Sequence, residues 1–187
     1  MALFNNAIPI ILMHEGGLTT DTGGLTKYGI SQKAYPQLDI KNLTVEDAKK
    51  IYLRDYWNPL KLDGFKDQNL ANAVFDAGIN QGIKTAAKML QIALLRAKEN
   101  LVVDGIIGPL TTGAANRMPA HFVNDFSNDR VQFYKDLATA DPAKYGKYLG
   151  GWIKRAQSYM VKKKTNLMLL AGVTGAVVGI IYLAKKK

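Results

Sequence analysis

The chain has 187 residues, enough for one well-cored domain plus an appendage and too few for two large independent domains. Apolar residues make up 48% and charged residues 21%, the balance of a folded protein, and the absence of cysteine excludes a disulfide scaffold and thiolate metal sites. The formal net charge is +10, but Lys162, Lys163, Lys164, Lys185, Lys186 and Lys187 all lie in the last 26 residues, so residues 1–161 keep a surplus of only four.

In chain order, Met1 to Met13 has a short apolar stretch but no basic leader region or small-residue cleavage site, so it does not read as a signal peptide. Residues from about Asn5 to Glu15 predict a helix, with Asn5 or Asn6 as its cap. Two glycine pairs, Gly16-Gly17 and Gly23-Gly24, punctuate short β-prone runs and predict a small hairpin. Thr44-Val45-Glu46-Asp47 opens a second helix running to about Asp55, capped by Thr44, with acids favouring its first turn. Further helices follow over about Leu70–Gly82, Lys84–Lys98, Pro109–Arg117 and Ala120–Leu137, and a last one starts near Gly151. Trp57 and Trp152 read as core anchors. The expectation is a mainly α, helical domain over 1–160 with a small β-hairpin near its N-terminus. Within it, about 1–68 forms one part and about 69–160 a second, helical part.

Thr165 to Ala184 is a run of twenty residues without a charge, bracketed by three lysines on each side. That length crosses about 30 Å of hydrocarbon as an α-helix, and the run therefore predicts a transmembrane anchor over 161–187, spanning 165–184. Ala171, Gly175 and Gly179 recur every four residues and would give that helix a flat, self-associating face; glycine is also simply common in membrane helices. The balanced lysines leave orientation open.

Glycosidic bond cleavage needs a proton donor at the leaving oxygen and usually a second carboxylate. Glu15, ending an apolar helix before two glycines and a hairpin, suits a partly desolvated acid at a cleft edge. Asp21 and Thr26 fall on that hairpin, where an acid, a base and an attacking water can be held together. The competing readings are a turn-forming Asp21 and a plain strand Thr26. Tyr28 reads either as a sugar-stacking ring or as half-buried packing. Asp76 and Asn80, four apart on one helix, either point together into a cleft or tie helices together as buried polar groups. His14 beside Glu15 either tunes its acidity or turns outward. No His and acid cluster has metal-ligand spacing, there is no phosphate loop, and no cofactor is expected. No nucleic-acid motif and no basic stripe interleaved with aromatics is apparent, so no nucleic-acid partner is expected.

His14-Glu15-Gly16-Gly17, then Asp21-Thr22-Gly23-Gly24-Leu25-Thr26-Lys27-Tyr28-Gly29-Ile30, resembles the signature of glycoside hydrolase family 108 muramidases. Further matching stretches are Tyr56-Trp57, Phe75-Asp76-Ala77-Gly78-Ile79-Asn80-Gln81-Gly82, Leu90-Gln91 and Val103-Asp104-Gly105-Ile106-Ile107-Gly108-Pro109. Arg130, Phe133-Tyr134 and Gly151-Trp152-Ile153-Lys154-Arg155 complete the series, whose second half resembles a cell-wall-binding helical region. The resemblance covers about residues 1–160. It implies a lysozyme-like fold, Glu15 as catalytic acid, peptidoglycan glycan strands as substrate and cleavage of the β-1,4 bond after N-acetylmuramic acid. Thr22 stands where the family pattern has proline, and the hairpin is shorter than the common form, which leaves Asp21 open as second carboxylate.

Lytic transglycosylation of the same bond, a non-catalytic wall-binding or virion structural role, and a hole-forming membrane protein are the alternatives. A tethered muramidase without a signal peptide looks most like a bacteriophage protein, acting in lysis or entry. The expected location is a single-pass anchor in the host inner membrane with the enzyme facing the periplasm, or in the membrane of a virion.

Overall fold

The computed structural model describes residues 1–15, 19–21 and 24–162, with the backbone alone at His14, Glu15 and residues 19–21. The first helix, α1, spans Phe4–Glu15, one or two residues ahead of the asparagines expected to cap it. Pro9 lies inside it and removes the bond to the carbonyl of Asn5. Both residues are exposed, so water replaces that bond, while Ala7, Ile8 and Ile11 on the other face are buried. Three short antiparallel strands follow: β1 Thr19–Asp21, β2 Gly24–Lys27 and β3 Ile30–Ser31, in spatial order β1-β2-β3. The expected hairpin is thus a three-stranded sheet, because Tyr28 (φ 52°) and Gly29 (φ 76°) turn the chain back in left-handed conformations.

Helix α2, Val45–Tyr52, begins in a full capping box: Thr44 Oγ1 accepts from the Asp47 amide and Asp47 Oδ2 accepts from the Thr44 amide. It runs on into a π-helical turn, Leu53–Trp57, closed by the Asn58 amide donating to the Leu53 carbonyl at 3.0 Å. A 3-10 turn at Leu62–Gly64 leads to α3, Gln68–Gln81, capped by Asp67, whose carboxylate accepts from the Leu70 amide. Then come α4 Ile83–Arg96, α5 Pro109–Ala115, α6 Phe122–Ala140, α7 Pro142–Tyr145, a 3-10 turn Gly146–Tyr148 and α8 Leu149–Gln157.

The aromatic centre of the core joins three elements. Trp57 and Phe75 meet edge-to-face at 5.3 Å, and Phe4 reaches both rings at 5.7 and 5.9 Å. Trp57 is fully buried, and its indole N–H donates to Asp63 at 2.7 Å, so the polar edge of the ring is satisfied. Around this centre one hydrophobic cluster extends from Ala2 ahead of α1 to Tyr159 beyond α8. Gly78 is required for close packing: a Cβ there would come within 2.6 Å of Leu60 Cδ1.

The expected fold with one C-terminal transmembrane helix is corrected. Among the described residues no helix is long and apolar enough to cross a membrane. The longest, α6, has 19 residues but carries Asp125, Asp129, Arg130, Lys135 and Asp136, charges that hydrocarbon would not accept. The fold class is therefore mainly α with one small antiparallel sheet, and the single-pass membrane localisation falls with the helix. Residues 165–184, and with them Ala171, Gly175 and Gly179, lie outside the described residues.

Candidate active site

Glu15 and His14 are the last two residues of α1, and the chain reaches the sheet a few residues later. The strand register is Thr19↔Thr26, Thr20↔Leu25 and Asp21↔Gly24, so the backbone positions of Asp21 and Thr26 fall on one face of the sheet, on diagonal neighbours. Thr26 also pairs with Ser31 on β3, which makes β2 the central strand. This fixes Thr26 more firmly than a terminal strand would.

Tyr28 is half-buried and packed on the hydrophobic cluster, with the Lys27 ammonium 5.6 Å from its ring centre. Its carbonyl accepts from the Tyr52 hydroxyl at 2.9 Å, which ties the left-handed turn to α2. On the π-helical turn, Asp55 Oδ2 accepts from the Tyr35 hydroxyl at 2.8 Å. Burial, and then that bond, push the Tyr35 phenol well above its ordinary range. Asp55 is held below the usual carboxylate range by two hydrogen bonds from Arg54 and, in a lesser part, by the Tyr35 hydroxyl. Asp55 therefore stays an anion at neutral pH and is not a proton donor. Neither Tyr35 nor Asp55 stood out in the sequence, where their twenty-residue separation gives no signal.

The structure separates the other predicted pair. Asp76 is fully buried, and it accepts from Arg130 Nη2 at 2.5 Å and from Arg155 Nε at 2.8 Å. It ties α3 to α6 and α8 and does not face a cleft. Asn80, one turn on, is exposed and donates to the Asp76 carbonyl at 2.8 Å. With Trp152, Lys154 and Arg155 it lines a groove of about 490 Å³ between the end of α3 and α8. Trp152 is accordingly no core anchor. It is half-buried and stacks on buried Tyr134 at 5.0 Å and on Tyr148 at 5.5 Å.

The α1 and α3 helices start side by side: the Leu3 amide donates to Gln68 Oε1 at 2.7 Å, and Gln68 Nε2 donates back to the Leu3 carbonyl. Glu15 and Asn80 stand equally far along their helices from this junction, at about 1.5 Å of rise per residue. Among the described residues no group of three or more His, Cys, Asp or Glu could hold a metal ion.

Residues 8–82 match the family model described as glycosyl hydrolase 108, and residues 85–157 match one described as a predicted peptidoglycan domain. The chain is similar to a solved structure of Brucella abortus SagA, with 26% identity, a TM-score of 0.63, and coverage of 86% of this chain and 97% of that one. No curated protein matches the chain significantly.

Proposed function

We propose that this chain, whose matches support a glycoside hydrolase of the lysozyme-like 108 family acting on peptidoglycan, is an N-acetylmuramidase with Glu15 as its acid. The supporting observation is the tandem order: a glycosyl hydrolase 108 match that contains the end of α1 and the sheet, followed directly by a peptidoglycan match. In this reading Glu15 gives its proton to the glycosidic oxygen as the bond from C1 of N-acetylmuramic acid to that oxygen breaks. The sugar left behind carries oxocarbenium character at C1. Asp21 and Thr26, on one face of the sheet, hold or deprotonate the water that adds there, and the water proton returns to the carboxylate pair. His14, Tyr28 and Asn80 contact the glycan. Asp76, buried between two arginines, has a structural part only.

The test is digestion of purified sacculi followed by mass analysis of the released muropeptides. Reducing N-acetylmuramic acid ends are expected. A 1,6-anhydro end would assign the same bond to a lytic transglycosylase, which needs no second carboxylate. Glu15→Gln is expected to lower the rate by about 10²–10⁴-fold, the usual contribution of a positioned general acid. An unchanged rate would remove Glu15 from the reaction.

A further inference from the structure

The groove between the end of α3 and α8 has a chemistry of its own. It is lined by Asn80, Gly151, Trp152, Lys154, Arg155 and Ser158. Asn80 belongs to the stretch matched by the hydrolase model, and Gly151 to Arg155 belong to the stretch matched by the peptidoglycan model. The groove therefore lies where the two parts meet.

Trp152, Lys154 and Arg155 make the lining aromatic and basic, and Trp152 continues it into an aromatic stack beside the groove. From the core outward, Tyr134, Trp152 and Tyr148 stack in turn, and Tyr148 is 47% exposed. The Lys147 ammonium lies 4.9 Å from the Tyr148 ring and Lys144 lies 4.7 Å from the Tyr145 ring. Residues 142–162 contain Lys144, Lys147, Lys154, Arg155 and Lys162 and not one acid. The preceding acid, Asp141, is engaged in capping α7, where it accepts from the Lys144 amide at 3.0 Å. Arg155 is anchored on Asp76 and fixed by it, whereas Lys154 stands exposed on the rim. Residues 142–162 are thus a basic stretch interleaved with aromatics, contrary to the expectation from the sequence, and α8 brings Trp152, Lys154 and Arg155 from it into the groove.

We infer that this groove binds the carboxylate-bearing peptide stem of peptidoglycan. Lys154 and Lys147 meet the stem carboxylates, and the Trp152–Tyr148 stack takes the apolar part of the stem. The inference rests on the peptidoglycan reading and adds to it which portion of the polymer is recognised. Glycan stripped of its stems keeps a single carboxylate on the lactyl group of each muramic acid, too few for this concentration of positive charge; stems supply several carboxylates at each one. Binding there would set the glycan beside the end of α3 and make productive cleavage depend on stems being present.

The experiment uses the full chain carrying Glu15→Gln, so that the polymer is not consumed. Binding is measured by sedimentation with intact sacculi, in competition with soluble glycan strands that either bear stems or have been stripped of them by an amidase. Stem removal is expected to weaken binding about ten-fold, the equivalent of one good charge contact. Lys154→Glu is expected to weaken binding to intact sacculi by a similar factor and to change binding to the stripped strands much less. Lys147→Glu, on an exposed turn away from the packed core, is the second variant, and Lys154→Arg should restore binding. Equal binding to both polymers, or tight binding to intact sacculi by both glutamate variants, overturns the inference. Failure of the muramidase reading shows separately, as absence of muropeptide release by the unaltered chain.

Discussion

At the residue scale, the clearest case is Gln91, 1% exposed on α4. Its amide donates to Asp104 at 2.7 Å and to the Ile106 carbonyl at 3.1 Å, and its Oε1 accepts from the Gly105 amide at 2.9 Å. One side chain thus holds the loop ahead of α5. Gly105 (φ 81°) completes the turn, because a Cβ there would come within 2.8 Å of Lys84 Cγ and 3.2 Å of the Lys84 carbonyl. Gln91→Leu keeps the volume but leaves the Gly105 amide and the Ile106 carbonyl without their partner, at a cost of about 2–4 kcal/mol. Urea unfolding measures this, and the Asp104 carboxyl, held low first by Gln91, should titrate higher in the variant. Spacing leaves Asp76 open between a cleft residue and a helix tie; the tie is what forms, with partners Arg130 and Arg155 that lie 54 and 79 residues away and that nothing local announces.

At the element scale, helices with local punctuation were legible. Thr44 with Asp47, and Gly108 with Pro109, mark α2 and α5 by chemistry that acts within one turn. What escaped was short or set by partners. Helix α7 has four residues, yet Asp141-Pro142 carried its signal, a cap followed by proline at the first turn. The π-helical turn has no such signature, since it arises where Trp57 must reach its aromatic partners. The Asp76 ion pairs are what fix α3, α6 and α8 relative to one another. Asp76→Asn is expected to destabilise by about 3–5 kcal/mol, because it leaves the Arg130 guanidinium buried with its charge uncompensated. Asn80→Ala, four residues on but exposed, should stay within about 0.5 kcal/mol. Thermal melts of the two variants check the contrast, and comparable losses would mean that the groove edge also supports the fold.

At the scale of the whole molecule, the two matched stretches share one core. Phe75 and Trp57 from the first, and Leu90, Leu94 and Phe126 from the second, belong to a single continuous cluster. Residues 1–162 are therefore expected to unfold in one transition by calorimetry, and residues 1–82 expressed alone should lack a cooperative melt. Two resolved transitions would contradict this. The corner at Gly82, which closes α3 and opens α4 at φ 88°, a conformation that strains any side chain, joins the stretches with hardly any intervening chain. For inheritance this corner acts as a weld. A recombination event that exchanged the stretch beyond Gly82 would also have to bring matching surfaces for α3. Lineages would then be expected to pass the two matched stretches on together, with diversity accumulating on the exposed groove rim.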